Sequence, residues 1–273
     1  YLSTGSSSNG FKGHREATSF WCGVEVTLKD EGDRRANGGN WMGGRHRKDV
    51  PEAASIAKTG LQKAIMRLGA EKGPTLKATM VVDPRVASSL IRRLIGPANA
   101  QSIHRGRSFW TDKVGQALAS DIFTLRDDPL IIGGLASKLY DGEGLATKPM
   151  TIIENGVIKN LYVDTYYGKK TSMTPTTGGS SNLIVSLGEK ELMELMSDVG
   201  TGVYVTSWLG GNSDSTTGDF SLGMRGHLIE DGKIGAPVGE MNVTGDLTNL
   251  FQSLSAVGND PWPYSSIKAP TLV

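Results

Sequence analysis

The chain of 273 residues contains 36 glycines, roughly twice the usual share, which favours turns and β-structure over helical bundles. Its 29 basic and 28 acidic residues nearly cancel, which argues against a protein that neutralises nucleic-acid phosphates by bulk charge. One cysteine, Cys22, excludes an internal disulfide and a multi-cysteine zinc site, so we predict a reducing, cytoplasmic location. No apolar run is long enough to span a bilayer, and we predict no membrane association. Because the chain starts at Tyr1 and ends on a strand-like segment, we expect it to be a piece of a longer protein.

The N-terminal quarter contains one clear strand and one clear helix. The alternation over residues 20–28 predicts a half-buried strand with one face formed by Phe20, Cys22, Val24, Val26 and Leu28. Residues 29–49 are polar and Gly-rich without a sustained period, so we predict a long exposed loop or an irregular hairpin. Residues 51–68 predict an amphipathic helix that Pro51 opens and Gly69 closes. We expect residues 1–72 to be the end of an N-terminal or central region and residues 73–273 to form a β-rich C-terminal domain.

The C-terminal part begins with a predicted strand, residues 76–82. Asp83 as N-cap and Pro84 at the first position then predict a helix, which Gly96 and Pro97 end. Further strands are predicted at residues 121–125, 150–153, 157–163, 202–208, 224–229 and 241–244. A capping box of Ser186 and Glu189 predicts the helix that carries the apolar residues of 192–199. Asp246 predicts a last helix with inward side chains at Leu247, Leu250, Phe251 and Leu254.

Two pairs of turn residues predict tight hairpins. Asn155-Gly156 and Asp231-Gly232 each lie between apolar runs, which is typical of a type I′ turn. Both belong to the pattern Ile-Glu-(Asn/Asp)-Gly-x-Ile, which is compatible with an internal duplication. The predicted fold class is α+β, with mixed or antiparallel sheets and a few amphipathic helices.

Histidine and cysteine form no catalytic pattern. The histidines are His14, His46, His104 and His227, and no two have the spacing of zinc ligands on one helix. We interpret them as solvated or structural residues. Cys22 shares a predicted strand face with Val24, so we interpret it as a small buried apolar side chain rather than a nucleophile.

Two segments rich in Ser and Gly, residues 3–8 and 176–182, could surround a phosphate, but neither has the sequence context of a P-loop or a GxGxxG motif. Glycines beside a strand also let a second backbone approach an open sheet edge, so we predict a peptide groove. The residues assigned to peptide binding are Gly178, Gly179, Ser180, Ser181, Asn182, Asp214 and Ser215.

A cluster of basic residues precedes two aromatic residues, in the order Arg92, Arg93, His104, Arg105, Arg107, Phe109 and Trp110. Such mixtures occur on nucleic-acid-binding surfaces. Because the cluster is short and the net charge is only +1, we interpret it as a solvated face, with nucleic acid or an acidic protein as alternative partners. The acids Glu143, Asp214 and Asp219 stand apart in Gly-rich loops, whereas acid–base catalysis needs a partner at a defined distance.

A series of motifs is similar to the TldD/PmbA family, whose members are also called modulators of DNA gyrase. The motifs are STGSSSNGF (residues 3–11), GLASKLYDGEG (134–144), IENGVI (153–158), TPTTGG (174–179), GTGVYV (200–205), TGDFS (217–221) and VGND (257–260). They extend along nearly the whole chain in the family's order. Because family members are longer and begin with another domain, the resemblance implies that this chain is the later part of one.

The resemblance also points to one of two branches. TldD-like members carry HExxxH on a helix and a downstream Cys that completes a metal site, whereas PmbA-like members, also called TldE, lack this set. The corresponding helix here reads VASSLIRRLIG over residues 86–96, and Ala269 stands at the Cys position. The resemblance therefore implies a PmbA/TldE-like chain with no metal or other cofactor of its own and no unaided peptide hydrolysis.

For such a chain the resemblance implies a role as the non-catalytic subunit of a TldD/TldE-type heterodimeric metalloprotease. It would help to enclose unfolded peptides and present them to the metal ion, expected to be zinc, of a TldD-like HExxxH subunit. We expect Trp262 and Tyr264 at the partner interface, since aromatic residues often anchor interfaces, and Trp208 and Met224 in the core. The alternatives are a catalytic subunit with a non-standard metal site and a nucleic-acid or gyrase-associated binding protein.

Overall fold

A computed structural model describes all residues, 1–273, and shows fourteen strands and six α-helices. The strands are β1 (Leu2–Ser6), β2 (Lys12–Glu16), β3 (Phe20–Lys29), β4 (Arg35–Gly44), β5 (Glu71–Lys72), β6 (Thr79–Val82), β7 (Leu125–Asp128), β8 (Met150–Glu154), β9 (Val157–Ile158), β10 (Asn182–Val185), β11 (Gly202–Ser213), β12 (Asp219–Glu230), β13 (Lys233–Asp246) and β14 (Ile267–Lys268). The helices are α1 (Ala53–Ile65), α2 (Pro84–Ile95), α3 (Ala100–His104), α4 (Thr165–Thr171), α5 (Leu192–Val199) and α6 (Leu247–Gln252). The predicted α+β class with mixed and antiparallel sheets is confirmed. None of the helices combines the length and the apolar character that crossing a membrane requires.

Two antiparallel hairpins, β1–β2 and β3–β4, form the N-terminal part. The alternation predicted for β3 is confirmed, because every second residue from Cys22 to Leu28 is partly buried. Phe20 is exposed, and Cys22 is half-buried rather than buried. The face of the hairpin that carries Val24 and Val26 packs on α1, which confirms the predicted helix over a shorter range.

The prediction of a long exposed loop or an irregular hairpin for residues 29–49 is wrong, because residues 35–44 of this segment form the regular strand β4. Its pairing with β3 is unbroken from Phe20 opposite Gly44 to Lys29 opposite Arg35. A Cβ atom at Gly38 would lie 2.3 Å from the backbone N of Ala64, so only glycine lets β4 approach α1 this closely. Strand β4 therefore has small residues at buried positions, whereas a strand is recognised from sequence by large apolar residues at every second position.

One five-stranded sheet has the order β5-β13-β12-β11-β6. Its three central strands are antiparallel and considerably longer than predicted, whereas β5 and β6 add in parallel at the edges. Because β5 pairs with β13, the chain on both sides of the predicted boundary between residues 72 and 73 contributes to one sheet. That boundary stays a prediction.

The second five-stranded sheet has the order β14-β10-β7-β8-β9. Its strand β7 begins at Leu125, so the prediction for residues 121–124 is wrong. The strand predicted over residues 157–163 ends at Ile158, since Tyr162 leaves the sheet and exchanges backbone hydrogen bonds with Ala98 and Ala100. The apolar residues 161–163 are buried beside the connection between α2 and α3 and do not continue the strand.

Both predicted hairpin turns are confirmed. The backbone φ angles are positive at Asn155 and Gly156 (47° and 78°) and at Asp231 and Gly232 (49° and 72°), as a type I′ turn requires. The two turns lie in different five-stranded sheets, and the internal duplication stays a prediction.

Three helix starts test the capping predictions. The Asp83 and Asp246 carboxylates accept backbone N–H groups of Arg85 (2.9 Å) and Asn249 (2.8 Å), which confirms both N-caps. The predicted capping box of Ser186 and Glu189 is wrong, because Glu191 and Glu194 cap α5. Residues 186–190 instead run beside the segment near Gly258, whose carbonyl oxygen accepts the N–H of Gly188 at 3.0 Å.

Candidate functional site

Helix α2 occupies the place where the resemblance expects the metal ligands of a catalytic subunit. Its N-terminus is fixed by Asp83, whose Oδ1 accepts Nε of Arg85 at 2.7 Å and whose Oδ2 accepts the Tyr204 hydroxyl at 2.6 Å. Burial opposes ionisation of Asp83, but the hydrogen bonds and charge of Arg85 outweigh it, so the pKa of Asp83 lies below its ordinary value. Burial and the neighbouring carboxylate raise the pKa of Tyr204. The carboxylate therefore serves to position the helix.

The inner face of α2 is apolar and packed. Leu90, Ile91 and Leu94 are buried in a core that contains residues of both five-stranded sheets. Ala269 is fully buried in the same core, and its neighbouring strand β14 contacts α2. Nowhere in the chain do three or more His, Cys, Asp or Glu side chains gather in a way that could hold a metal ion. Methyl and methylene groups offer no donor atoms, so the residues at α2 and Ala269 do not fit a metal.

The C-terminal end of α2 borders a cleft of about 310 Å³. The cleft is lined by Arg92, Ile95, Gly96, Asn99, Gln101, Tyr162, Asp164, Gly178, Gly179 and Ser180. Three of the seven residues assigned to peptide binding from the sequence therefore lie together in one cleft, and they face the end of the helix that the family resemblance singles out.

Two other assigned residues, Ser181 and Asn182, are buried and hold the loop from behind. The backbone N–H of Ser181 donates to both carboxylate oxygens of Asp127 at 3.0 Å, and the same carboxylate accepts the Tyr162 hydroxyl at 2.8 Å. The Asn182 side chain accepts the N–H of Ala136 at 3.0 Å. These two residues support the loop and do not line the cleft.

The glycines of the loop leave open space on the cleft side. Lys138 Nζ donates to the carbonyl oxygens of Gly179 and Ser180 at 3.0 and 3.1 Å, which fixes the backbone. A Cβ atom at Gly179 would have no neighbour within 4 Å, and one at Gly178 would meet only Asp164 Cβ at 3.8 Å. Neither packing nor a positive φ requires glycine at these positions, which suits a surface that another backbone approaches.

The remaining two assigned residues, Asp214 and Ser215, lie in the turn between β11 and β12. The Asp214 carboxylate accepts the backbone N–H of Thr216 at 2.7 Å, a contact that lowers its pKa. The end of β11 that leads into this turn contacts the last turn of α2, because Arg93 Nη1 donates to Ser213 Oγ at 3.0 Å. Neither Asp214 nor Ser215 lines the cleft beside Gly178.

The aromatic residues after the basic cluster are buried. Phe109 and Trp110 belong to the core, and the Trp110 indole donates to the carbonyl oxygen of Leu94 at 2.9 Å. They offer no exposed ring on which a base could stack. Arg105 donates to the Tyr167 hydroxyl at 3.0 Å, so one of the basic side chains is engaged within the protein.

The histidines show no metal-binding arrangement. His14, His46 and His104 are exposed, whereas His227 is buried and its Nε2 lies 3.0 Å from the carbonyl oxygen of Met66. Of the isolated acids, Glu143 accepts the backbone N–H of Thr165 at 2.8 Å, and so supports the start of α4.

The expected interface residues Trp262 and Tyr264 contact each other. Their rings meet edge to face with centroids 5.0 Å apart, and the Arg85 guanidinium lies 5.6 Å from the Trp262 ring centre. Both aromatics are partly exposed, so a partner could reach them. Met224 is buried, and Trp208 is partly buried with its indole N–H 3.1 Å from the carbonyl oxygen of Val86.

Sequence reasoning missed an exposed aromatic pair on the first large hairpin. Trp21 and Trp41 are 60% and 55% exposed and share the hairpin face that points away from α1. Trp21 stands opposite Gly43 and Trp41 opposite Gly23, so each ring covers a strand glycine. The signal was present as tryptophan facing glycine, but it becomes visible only once β4 is known to be a strand.

Comparison with known proteins supports the resemblance. The family model described as "PmbA/TldA metallopeptidase C-terminal domain" matches residues 75–273. Metalloprotease PmbA of Escherichia coli O157:H7 is 28% identical over 232 residues, which are 84% of this chain and 52% of that protein. The PmbA homolog of Haemophilus influenzae is 31% identical over 221 residues, or 80% of this chain and 49% of that protein. The chain thus spans about half the length of the curated relatives it matches.

Solved structures agree with these matches. A candidate modulator of DNA gyrase from Bacteroides thetaiotaomicron superposes with a TM-score of 0.93 at 38% identity, covering 97% of this chain and 60% of that one. TldE from Thermococcus kodakarensis has a TM-score of 0.86 at 20% identity, covering 97% and 63%, which shows a common fold alone. By its motifs, its family match and its fold, the chain belongs to the PmbA/TldD metallopeptidase family.

Proposed function

We propose that this chain acts as the non-catalytic, peptide-presenting subunit of a two-subunit metalloprotease. The observation that carries the proposal is the burial of the apolar face of α2 and of Ala269 in one core, at the positions where a catalytic relative would hold its metal. In this assignment the metal ion, expected to be zinc, belongs to a TldD-like partner with HExxxH. Because this chain has a single cysteine, we place the assembly in the reducing cytoplasm.

The cleft at the end of α2 supplies the peptide-presenting surface. An unfolded peptide can be held by its backbone, which gives broad tolerance of sequence, and loops without side chains let that backbone come close. Gly178 and Gly179 provide this open approach, while Lys138 and Asp127 keep their loop in one shape. The exposed Arg92 guanidinium at the cleft offers donors for peptide carbonyl oxygens.

The test is co-purification with an HExxxH-bearing relative from the same source, followed by peptidase assays of each subunit alone and of the mixture. We expect a stable complex, cleavage of unfolded peptides by the complex, and no cleavage by this chain alone. Metal analysis of each purified subunit should find the metal ion only with the partner.

Two results would contradict the proposal. The first is a stoichiometric metal on the isolated chain, lost together with peptidase activity on chelation. The second is full peptidase activity of the HExxxH subunit in the absence of this chain, because a presenting subunit would then have no task.

A further inference from the structure

A second, smaller cleft lies away from α2, where the hairpin β3–β4 and the end of α1 meet the sheet of β12 and β13. Its volume is about 210 Å³. Its charged lining residues are Asp30, Arg34, Arg35, Arg67, Glu71, Lys72, Arg225 and Glu240. It shares no lining residue with the cleft beside Gly178, so a ligand of this second cleft is independent of the proposed function.

Two guanidinium groups meet in this cleft on one asparagine. Arg67 Nη1 donates to the backbone oxygen of Asn37 at 2.8 Å and approaches its Oδ1 at 3.4 Å, while Arg225 Nη1 donates to the same Oδ1 at 3.2 Å. One side-chain oxygen thus brings two positive charges together. Both arginines line the cleft, and none of their remaining N–H groups is buried without a partner.

No carboxylate forms an ion pair with either arginine. The ion pairs of the protein, counted to 4.0 Å, involve neither Arg67 nor Arg225. Of the acids in the lining, Asp30 accepts the backbone N–H groups of Glu31 and Gly69, and neither Glu71 nor Glu240 forms an ion pair within 4.0 Å. Burial and the charge of Arg225 lower the pKa of Arg67, and no acid opposes them. Two adjacent like charges without an ion-pair partner repel each other, and an anion bound between them would relieve that repulsion.

We propose that the cleft between Arg67 and Arg225 binds a small oxyanion of the phosphate class. The planar fork of a guanidinium matches the oxygens of phosphate or carboxylate in bidentate fashion, and two forks on one anion supply both charge and geometry. Phosphate is favoured over a carboxylate because its larger charge and additional oxygens can satisfy two forks at once. The site joins the hairpin and α1 to the large sheet, so an anion bound there stabilises that junction.

The experiment measures thermal unfolding and calorimetric binding with sodium phosphate against sodium chloride at equal ionic strength. We expect phosphate to raise the melting temperature of the wild-type chain with saturation, as binding to the native state requires. Arg67→Gln and Arg225→Gln should abolish the rise, and Arg225→Lys, which keeps the charge and loses the fork, should weaken binding about tenfold. Arg126→Gln, an exposed arginine of β7 outside the cleft, is the matched control and should respond like the wild type.

A parallel titration with sodium acetate distinguishes a phosphate site from a carboxylate site. A saturable rise with acetate that both glutamine variants lose would assign the site to carboxylates and would overturn the phosphate class. A rise with phosphate that persists in Arg67→Gln and Arg225→Gln, or no rise beyond that with chloride, would overturn the site itself. Because each glutamine variant removes a like-charge contact, we expect both to fold. Calorimetric titration of the folded variants with phosphate then tests the loss of binding without melting data.

Discussion

The Tyr204 hydroxyl donates a 2.6 Å hydrogen bond to the buried carboxylate of Asp83, although the two residues stand 121 positions apart in the chain. The contact joins the central strand β11 to the N-cap of α2, the helix that borders the candidate cleft. Because the carboxylate is buried, any partner that it loses leaves an uncompensated polar group.

Removing that hydroxyl tests how firmly α2 is held. We expect Tyr204→Phe to lower the free energy of unfolding at neutral pH by about 1 to 3 kcal/mol, the usual cost of a hydrogen bond lost from a buried charged group. Asp83 has a lowered pKa in the folded protein, so its stabilising contribution is present above pH 3.8 and is lost as the pH falls through the folded value. Denaturant unfolding at pH 7 and at successively lower pH values below 3.8 should therefore show the difference between variant and wild type shrinking in acid. Tyr166→Phe, at an exposed tyrosine, should leave the free energy of unfolding unchanged at both pH 7 and acidic pH. An equal loss of stability in Tyr166→Phe would show that the effect does not come from the hydrogen bond to Asp83.

We predict that the stability of the protein also depends on pH through the buried His227. Burial lowers its pKa below the ordinary 6.5, and the positive charge of Arg67 lowers it further. The unfolded chain therefore takes up a proton near pH 6.5 while the folded chain does not, so stability falls as the solution is acidified below 6.5. The slope from this one group cannot exceed about 1.4 kcal/mol per pH unit. His227→Gln keeps a donor for the Met66 carbonyl and should flatten the curve of stability against pH between pH 7.5 and 5.5. His46→Gln is the control and should behave like the wild type. Parallel curves for the wild type and both variants would contradict the role of His227.

The glycines of the cleft offer a direct test of peptide presentation. A double substitution Gly178→Trp and Gly179→Trp places bulk where a Cβ atom has room, so the chain should fold and still bind its partner. Peptidase activity of the complex should fall at least tenfold, because two indoles occupy the space through which the peptide backbone approaches. Gly5→Trp, on the exposed strand β1, also has room for a side chain and serves as the matched control. Undiminished cleavage by a folded double variant would place the peptide path elsewhere.

We predict that the partner subunit of the proposed assembly docks at Trp262. Its ring is partly exposed and is supported on the protein side by Tyr264 and Arg85, which suits an anchor that fills a pocket of another chain. We expect Trp262→Ala to weaken assembly by about 2 kcal/mol while the melting temperature of the lone subunit changes little. Trp21→Ala, on the exposed hairpin face, is the matched comparison. If calorimetric titration shows loss of affinity for Trp21→Ala and none for Trp262→Ala, the interface lies on the hairpin.

Local chemistry determined which parts of this protein could be derived from its sequence. Asp83 followed by Pro84, Asp246 before its helix, and the pairs Asn155-Gly156 and Asp231-Gly232 each specify a backbone geometry within a few residues, and the structure confirms all of them. The absence of His, Cys, Asp and Glu from residues 86–96 and from position 269 likewise followed from residue identity, because no tertiary contact can turn the residues present into the ligand set of a zinc site.

Contacts between distant segments decided the rest. Strand β4 forms because Gly38 lets it lie against α1, an advantage that no local period records. Ser181 and Asn182 face inward because Asp127 and Ala136, over 40 positions earlier, meet their polar groups, while neighbouring Gly178 and Gly179 stay at the cleft. Arg225 contacts Asn37, which lies 188 positions away in the sequence. The composition therefore gives no sign of the positive charge at the oxyanion cleft, because the numbers of basic and acidic residues nearly cancel. Net charge and periodicity depend on composition and neighbours along the chain, whereas a cleft depends on which distant surfaces the packed sheets bring together.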